Sequence, residues 1–384
     1  MQRKFLMPLF LFLTPLVFLT GITDSFYLPK FVWIFLTVVL LFWIGLKERL
    51  FSYQNTFILP AGLLLIWYII TLNRCINIFE GLHSIFILIL LITLYISLEN
   101  LIARDNLLID DFMGAIVIIT VLVSIYGLLQ VAGVDFVKWD VKNSPLSTLG
   151  RRNFAAEYLV MVIPYMYYLL MKGRRKWLLF ILIILSVIHL IFTFTRASYI
   201  AFFFSSVVFF LLAGKRLRIK GGVIILICLL IFSQSLFPGI KTFEKGTFGS
   251  RMIIWNTTAK MIKKNLFMGV GPGNFVITYP YYAKNSPEKM IVTHRVSSVH
   301  NDYLEVCAES GVVGLLLFLY LLFSVFKVSL ILYRELDRRE KILIAGIISS
   351  VVAICINGLA SFPFKNPATL LLFWANVSFI GGTY

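Results

Sequence analysis

Long apolar runs recur along the whole chain, near 5–22, 28–46, 57–72, 82–98, 112–132, 154–171, 177–194, 197–213, 222–237, 303–332, 342–361 and 367–381. Each approaches the roughly 20 residues that a helix needs to cross the hydrocarbon core of a bilayer. In that core every backbone amide must be paired within the protein, which leaves helices or closed barrels. The runs predict an all-α polytopic membrane protein of about 12 transmembrane helices, folded as a single domain over residues 1–384. Composition agrees: 60% of the residues are hydrophobic and only 14% are charged, against roughly 45–50% apolar in soluble domains. The first run follows Met1-Gln2-Arg3-Lys4 and mimics a secretion signal. It lacks a small-x-small cleavage site, so it is expected to stay as a first helix. Only Thr195-Arg196 separates the runs at 177–194 and 197–213, and no long-period repeat of the kind seen in many transporters is visible.

The formal net charge is +17. In a soluble protein this would suggest nucleic acid, but cytoplasmic loops of membrane proteins collect Lys and Arg in any case. Arg3 and Lys4, Lys47 and Arg49, the group 172–176, the group 215–220, and Arg334 to Lys341 all fall on one side of the twelve-helix count. That side is expected to be cytoplasmic, together with both termini. The loop at 99–111 departs from the rule, with Arg104 among four acidic residues. Acidic residues contribute little to orientation. The opposite face holds a further basic set: Arg151 and Arg152, Arg196, and the long segment 238–302 with Arg251, Lys260, Lys263, Lys264 and Arg295. Positive charge there runs against the bias and calls for an anionic partner, either phospholipid headgroups or a phosphorylated lipid substrate. Cys75, Cys228, Cys307 and Cys355 lie at no metal-ligand spacing and read as packing residues.

Polar clusters within the outer segment carry the candidate chemistry. Residues 246–250 read as a Gly/Ser turn, with Ser250 capping a basic amphipathic helix. Met252, Trp255, Ala259 and Ile262 would form its apolar face, suited to lying in a membrane interface. Arg251 at its start either belongs to a lid or faces a phosphate. Gly269-Val270-Gly271-Pro272-Gly273-Asn274-Phe275 lacks the Lys-Ser/Thr of a nucleotide loop and reads as a tight turn. Ser298-Val299-His300-Asn301-Asp302 stands where a long apolar helix begins. Asn301 or Asp302 can cap that helix. His300 either joins the cap, or sits neutral at the positive end of the helix dipole, able to accept a proton. Arg196 either snorkels to the surface or faces an interior anion. His189 reads as a satisfied buried histidine and Asn357 as a contact between helices.

These elements together resemble the O-antigen ligase and polymerase superfamily. The resemblance rests on His300-Asn301, two residues, Leu304, six residues and Gly311. It extends to Gly249-Ser250-Arg251 with Trp255, the glycine-rich run at 269–275, Tyr279-Pro280, Thr195-Arg196-Ala197-Ser198, residues 147–159, and Phe362-Pro363-Phe364 with Pro367 and Phe373-Trp374. It covers the chain from about 147 onward; the first third matches in hydropathy alone. The family more often has Asn-Pro-Asn where this chain has Arg151-Arg152-Asn153, so a role for those arginines is not inherited.

The resemblance implies a glycosyltransferase of the bacterial inner membrane, with its site facing the periplasm. Its donor would be a glycan on undecaprenyl diphosphate, and its acceptor a lipid A-core sugar for a ligase or another repeat unit for a polymerase. Other relatives pass the glycan to protein hydroxyls. The pattern at the loop and the last helix resembles the ligase branch more closely. A dianionic leaving group needs fixed cations, and Arg supplies them through bidentate contacts. Arg196 and Arg251 are the expected clamp, with Arg151, Arg152, Arg295 and Asn301 as further substrate contacts. His300 would orient or deprotonate the acceptor hydroxyl. No Asp-x-Asp pair appears in the outer loops, so neither a metal nor a nucleotide cofactor is expected. Membrane lipids are an expected partner and nucleic acid is not. A permease or flippase would also show many helices and buried charge, but would not need a histidine at the end of a long outer loop. A scaffold for envelope assembly would tolerate loss of His300 and Arg251.

Overall fold

The structure is a computed structural model that describes residues 2–51, 55–137, 147–173, 175–214, 241–284 and 296–384. Among the described residues the regular structure is helical throughout. The α-helices are α1 (Gln2–Phe12), α2 (Tyr27–Lys47), α3 (Ile58–Thr71), α4 (Ile78–Arg104), α5 (Leu108–Val131), α6 (Arg152–Lys172) and α7 (Lys176–Phe192). They continue with α8 (Arg196–Leu212), α9 (Lys241–Lys264), α10 (Phe275–Ala283), α11 (Asp302–Glu335), α12 (Arg338–Asn357) and α13 (Pro367–Thr383). Six of them, α2, α4, α5, α6, α11 and α12, are long and apolar enough to cross a membrane. Helices α7 and α8, and α3 with the 3-10 turn after it, are shorter apolar helices. Leu36, Trp43, Ile181 and Phe323 are exposed on outward faces of such helices, a surface that suits lipid and not water. The chain is a multi-pass membrane protein.

Several elements differ from the hydropathy reading. The run at 5–22 is not one span: α1 stops at Phe12, and a 3-10 turn over Thr14–Leu16 with Pro15 follows. Proline supplies no amide to continue an α-helix. Helices α4 and α5 outlast their apolar runs, so the predicted loop at 99–111 shrinks to residues 105–107. Asn77 caps α4 by accepting the Phe79 amide at 3.0 Å, and Glu99 lies buried within the same helix. Helix α9 runs through residues 246–250 instead of starting at Ser250, since each glycine weakens a helix by only about 1 kcal/mol. The run at 222–237 lies outside the described residues.

Helix α13 forms the axis of the bundle, with every residue from Pro367 to Gly382 buried. It packs against α4, α12, α6, α11 and α2. Polar contacts pin it: Asn376 Oδ1 accepts from the Tyr165 hydroxyl at 2.5 Å, and its amide donates to Ser350 Oγ at 3.1 Å. Such contacts between helices in apolar surroundings contribute about 0.6–2 kcal/mol each. Asn357 plays the same part, accepting from Ser198 at 3.0 Å. His189 is buried against Gly127, but neither ring nitrogen has a partner among the described residues, unlike the satisfied histidine expected.

The helix ends sort the charges. At one end Arg104 lies 3.6 Å from Glu48, Lys172 pairs with Asp110, and the Tyr333 hydroxyl donates to the Leu212 carbonyl. Lys47, Lys176 and Arg338 terminate helices at this same end. At the other end the Thr195 hydroxyl donates to Asn153 at 3.3 Å, Lys30 donates to the Thr148 carbonyl at 2.8 Å, and α9 rests on α11.

Candidate active site

The start of α11 organises this second end. Asn301 Oδ1 accepts the Leu304 amide at 3.0 Å, and its Nδ2 donates to the Leu359 carbonyl at 2.9 Å. Asn301 is therefore the cap, and the other end of its amide ties it to the segment after α12. His300 precedes the cap with φ of +57°, a left-handed backbone that side-chain-bearing residues adopt only where their surroundings enforce it. The enforcement comes through the buried Val299. Its amide donates to Glu305 Oε2 at 3.1 Å, and its carbonyl accepts from Trp255 Nε1 at 3.0 Å.

The His300 ring lies edge-on to Phe362, with centroids 5.1 Å apart. Its Nδ1 is buried without a partner among the described residues. Burial pushes the imidazole pKa down to about 4, and the charges of Arg251 and Arg151 push in the same direction. The ring is thus neutral at physiological pH, chiefly through desolvation. Arg251 is half-buried near the middle of α9; burial and the neighbouring Arg152 lower its own pKa, although a guanidinium stays protonated. Arg151 is exposed and lies over the Phe154 ring at 5.7 Å. His300, Arg251 and Arg151 therefore sit within electrostatic reach of one another, and Arg152 joins them through Arg251. Arg196 is exposed at the first residue of α8, on a turn tied to α6 by Thr195 and Asn153. Arg295 lies outside the described residues.

Two cavities open beside this group. One of about 520 Å³ is lined by Arg151, Ser298, Phe362, Lys30, Lys365 and Asn366. Its cations and the unpartnered buried hydroxyl of Ser298 suit an anion or a polyol. A second, of about 360 Å³, runs into the bundle between apolar walls that include Leu88, Phe318 and Phe373. Tyr27 and Lys365 line both.

Lys365 and its partners are the residues that sequence reasoning missed. Its ammonium pairs with Glu305 and lies 3.7 Å from Glu309. Burial opposes its charge, but the two carboxylates outweigh burial and hold it above the usual lysine range. The signal was present as a lone lysine between the apolar segments around Phe364 and Pro367. Lys30 was hidden in the same way inside the run at 28–46.

The glycine-rich run serves as a clamp. Helix α11 breaks at Gly311, with φ of +70°. Into this break dock residues 266–271: the Gly271 amide donates to the Glu309 carbonyl, and the Val312 amide to the Leu266 carbonyl, both at 2.8 Å. A Cβ at Gly311 would lie 2.1 Å from the Phe267 carbonyl oxygen, so no side chain fits there. The turn packs its backbone closely against α11 and the start of α4. Helix α9 buries Ile254, Thr257, Thr258 and Met261 against this region, a stripe displaced from the face read in the sequence; Met252 and Ala259 are exposed. The threonines make the difference, because Thr258 returns its hydroxyl to the Ile254 carbonyl at 2.7 Å and can be buried.

Fold and site define a multi-pass membrane protein with a neutral histidine and several arginines at one end of its helices. Among the described residues no group of three or more His, Cys, Asp or Glu side chains is placed to hold a metal ion. Residues 181–319 match the model of the O-antigen ligase family. The similarity to that family covers 139 of the chain's 384 residues. The match takes in Arg196, Arg251 and His300 and leaves Arg151, Arg152 and Lys365 outside. No curated protein matches the chain.

Proposed function

We propose that the protein is a ligase that moves a glycan from undecaprenyl diphosphate to a hydroxyl of a lipid A-core sugar, at the periplasmic face of the bacterial inner membrane. The observation that carries this reading is the neutral imidazole of His300 beside Arg251 and Arg151. In the reaction the acceptor oxygen attacks the anomeric carbon and its proton passes to His300. The bond from that carbon to the diphosphate oxygen breaks, and the electron pair stays on the diphosphate. Arg251 and Arg151, with Arg196 and Arg152 at the neighbouring helix starts, hold the charge of the donor and of the leaving group. A group whose proton affinity is depressed by burial and by fixed cations still gains the proton when the acceptor hydroxyl acidifies during attack. Such general base assistance contributes roughly 10²–10⁴-fold.

The helix end bearing His300 is assigned to the periplasm because Lys47, Lys176 and Arg338 gather at the other. The count of about twelve spans belongs to the same proposal; the six long helices, the three shorter apolar ones, α13 and the run at 222–237 would supply eleven of them. A repeat-unit polymerase uses the same donor and is the second reading. A deletion strain separates them. Full-length lipid-linked chains that accumulate without surface polymer mean ligase; products of a single repeat mean polymerase. Unchanged glycans would remove both.

A further inference from the structure

We infer that Glu305 is a positioning residue for His300, acting through the backbone of Val299, with Lys365 as the counter-ion that aims it. The inference rests on the reading of His300 given above.

Glu305 and Val299 lie on opposite sides of the Asn301 cap. A carboxylate one turn into α11 has no need to reach back past the start of its helix. Glu305 does so, accepting the Val299 amide at 3.1 Å. Its other oxygen is held by Lys365, which arrives from the segment between α12 and α13. From the opposite side Trp255 of α9 fixes the Val299 carbonyl at 3.0 Å. Both backbone polar groups of Val299, the residue preceding His300, are thus anchored to separate elements, and the left-handed φ at His300 is the result. Phe362, which meets the imidazole edge-on, comes from the same segment as Lys365. The backbone angle and the ring plane are therefore set by one interlocked group. Glu305 is buried, and Lys365 keeps its charge compensated; a buried carboxylate without a partner would distort the site. Neither residue needs to touch the reacting atoms.

The test compares Glu305→Ala, which leaves no acceptor for the Val299 amide, with Glu305→Gln, which keeps one. His300→Ala and Trp255→Phe are measured in parallel on detergent-purified protein. Transfer is followed from the lipid-linked glycan that accumulates in a deletion strain, and binding with undecaprenyl diphosphate. Glu305→Ala should lower kcat by about 100-fold, the effect of a misplaced catalytic group. KM for the glycan donor and affinity for undecaprenyl diphosphate should not change, and Glu305→Gln should keep most of the turnover. Trp255→Phe should lower kcat by about 2–10-fold, the worth of one hydrogen bond. If Glu305→Ala does not fold, Trp255→Phe decides, and a wild-type kcat there overturns the inference. Normal kcat in Glu305→Ala alongside an inactive His300→Ala also overturns it, as does equal damage from Ala and Gln. An active His300→Ala would instead remove the reading of His300 on which the inference stands.

Discussion

At the scale of single residues, the arginines and His300 should separate by kinetics. Arg251→Ala should weaken donor binding and turnover together, because the diphosphate is charged before and during transfer. Removing one member of a desolvated charged pair costs about 2–5 kcal/mol, and Arg251→Lys should restore little, since a point charge does not replace a planar fork. Arg196→Ala is expected to behave alike. His300→Ala should leave donor binding intact and lower single-turnover rates by about 10²–10⁴-fold; poor binding with normal saturated turnover would make His300 a phosphate ligand. The acid limb of kcat/KM should lie near pH 4 and not near 6.5, because burial and two arginines hold His300 neutral down to about 4. Arg251→Ala removes one of those charges and should move the limb to higher pH; a shift to lower pH would mean that the arginine does not face the ring. The sequence disclosed His300, Arg251 and the cap because each is a polar residue at an unusual place. It hid Lys365 and Glu305, whose importance comes from a contact spanning 60 residues that no local pattern encodes.

At the scale of elements, the break in α11 is the most exacting feature. Gly311→Ala would put a methyl group 2.1 Å from the Phe267 carbonyl oxygen on a backbone with positive φ. A loss on the order of 1–3 kcal/mol is expected, read as a lower melting temperature in detergent. A wild-type melting curve would show that the clamp between α11 and residues 266–271 is dispensable. The exposed Lys260, Lys263 and Lys264 are the basic residues of α9, the helix that the sequence reading lays in a membrane interface. Replacing all three by serine should weaken activity in liposomes rich in anionic lipid and leave activity in neutral detergent unchanged. Equal activity in both would assign these lysines to solvent. Most helices were legible because a span must be apolar over its whole length. Several of their ends were not, since Asn77 and Asn366 set them through caps that hydropathy does not register. The stripe that α9 buries was not legible because a buried threonine satisfied by its own helix looks, in sequence, like a surface residue.

At the scale of the whole molecule, reporters fused after Arg175, Arg218 or Arg339 should read cytoplasmic, and one fused within 238–299 should read exported. The reverse would put the histidine and the lipid-linked glycan on opposite faces. Transfer should persist in excess chelator, because arginines are assigned the charge that a divalent ion would otherwise balance; strict dependence on magnesium or manganese would show that assignment to be wrong. Helix α13 adds a matter of timing. It is enclosed by α2, α4, α6, α11 and α12, all of which precede it in the chain. During synthesis those five segments enter the membrane before the helix they will surround has left the ribosome. Until it arrives, lipid tails must occupy its place. Closing of this bundle is therefore a displacement of lipid from the centre of a waiting ring, and a nascent chain halted before residue 367 should be cut by a protease that spares the chain carrying α13.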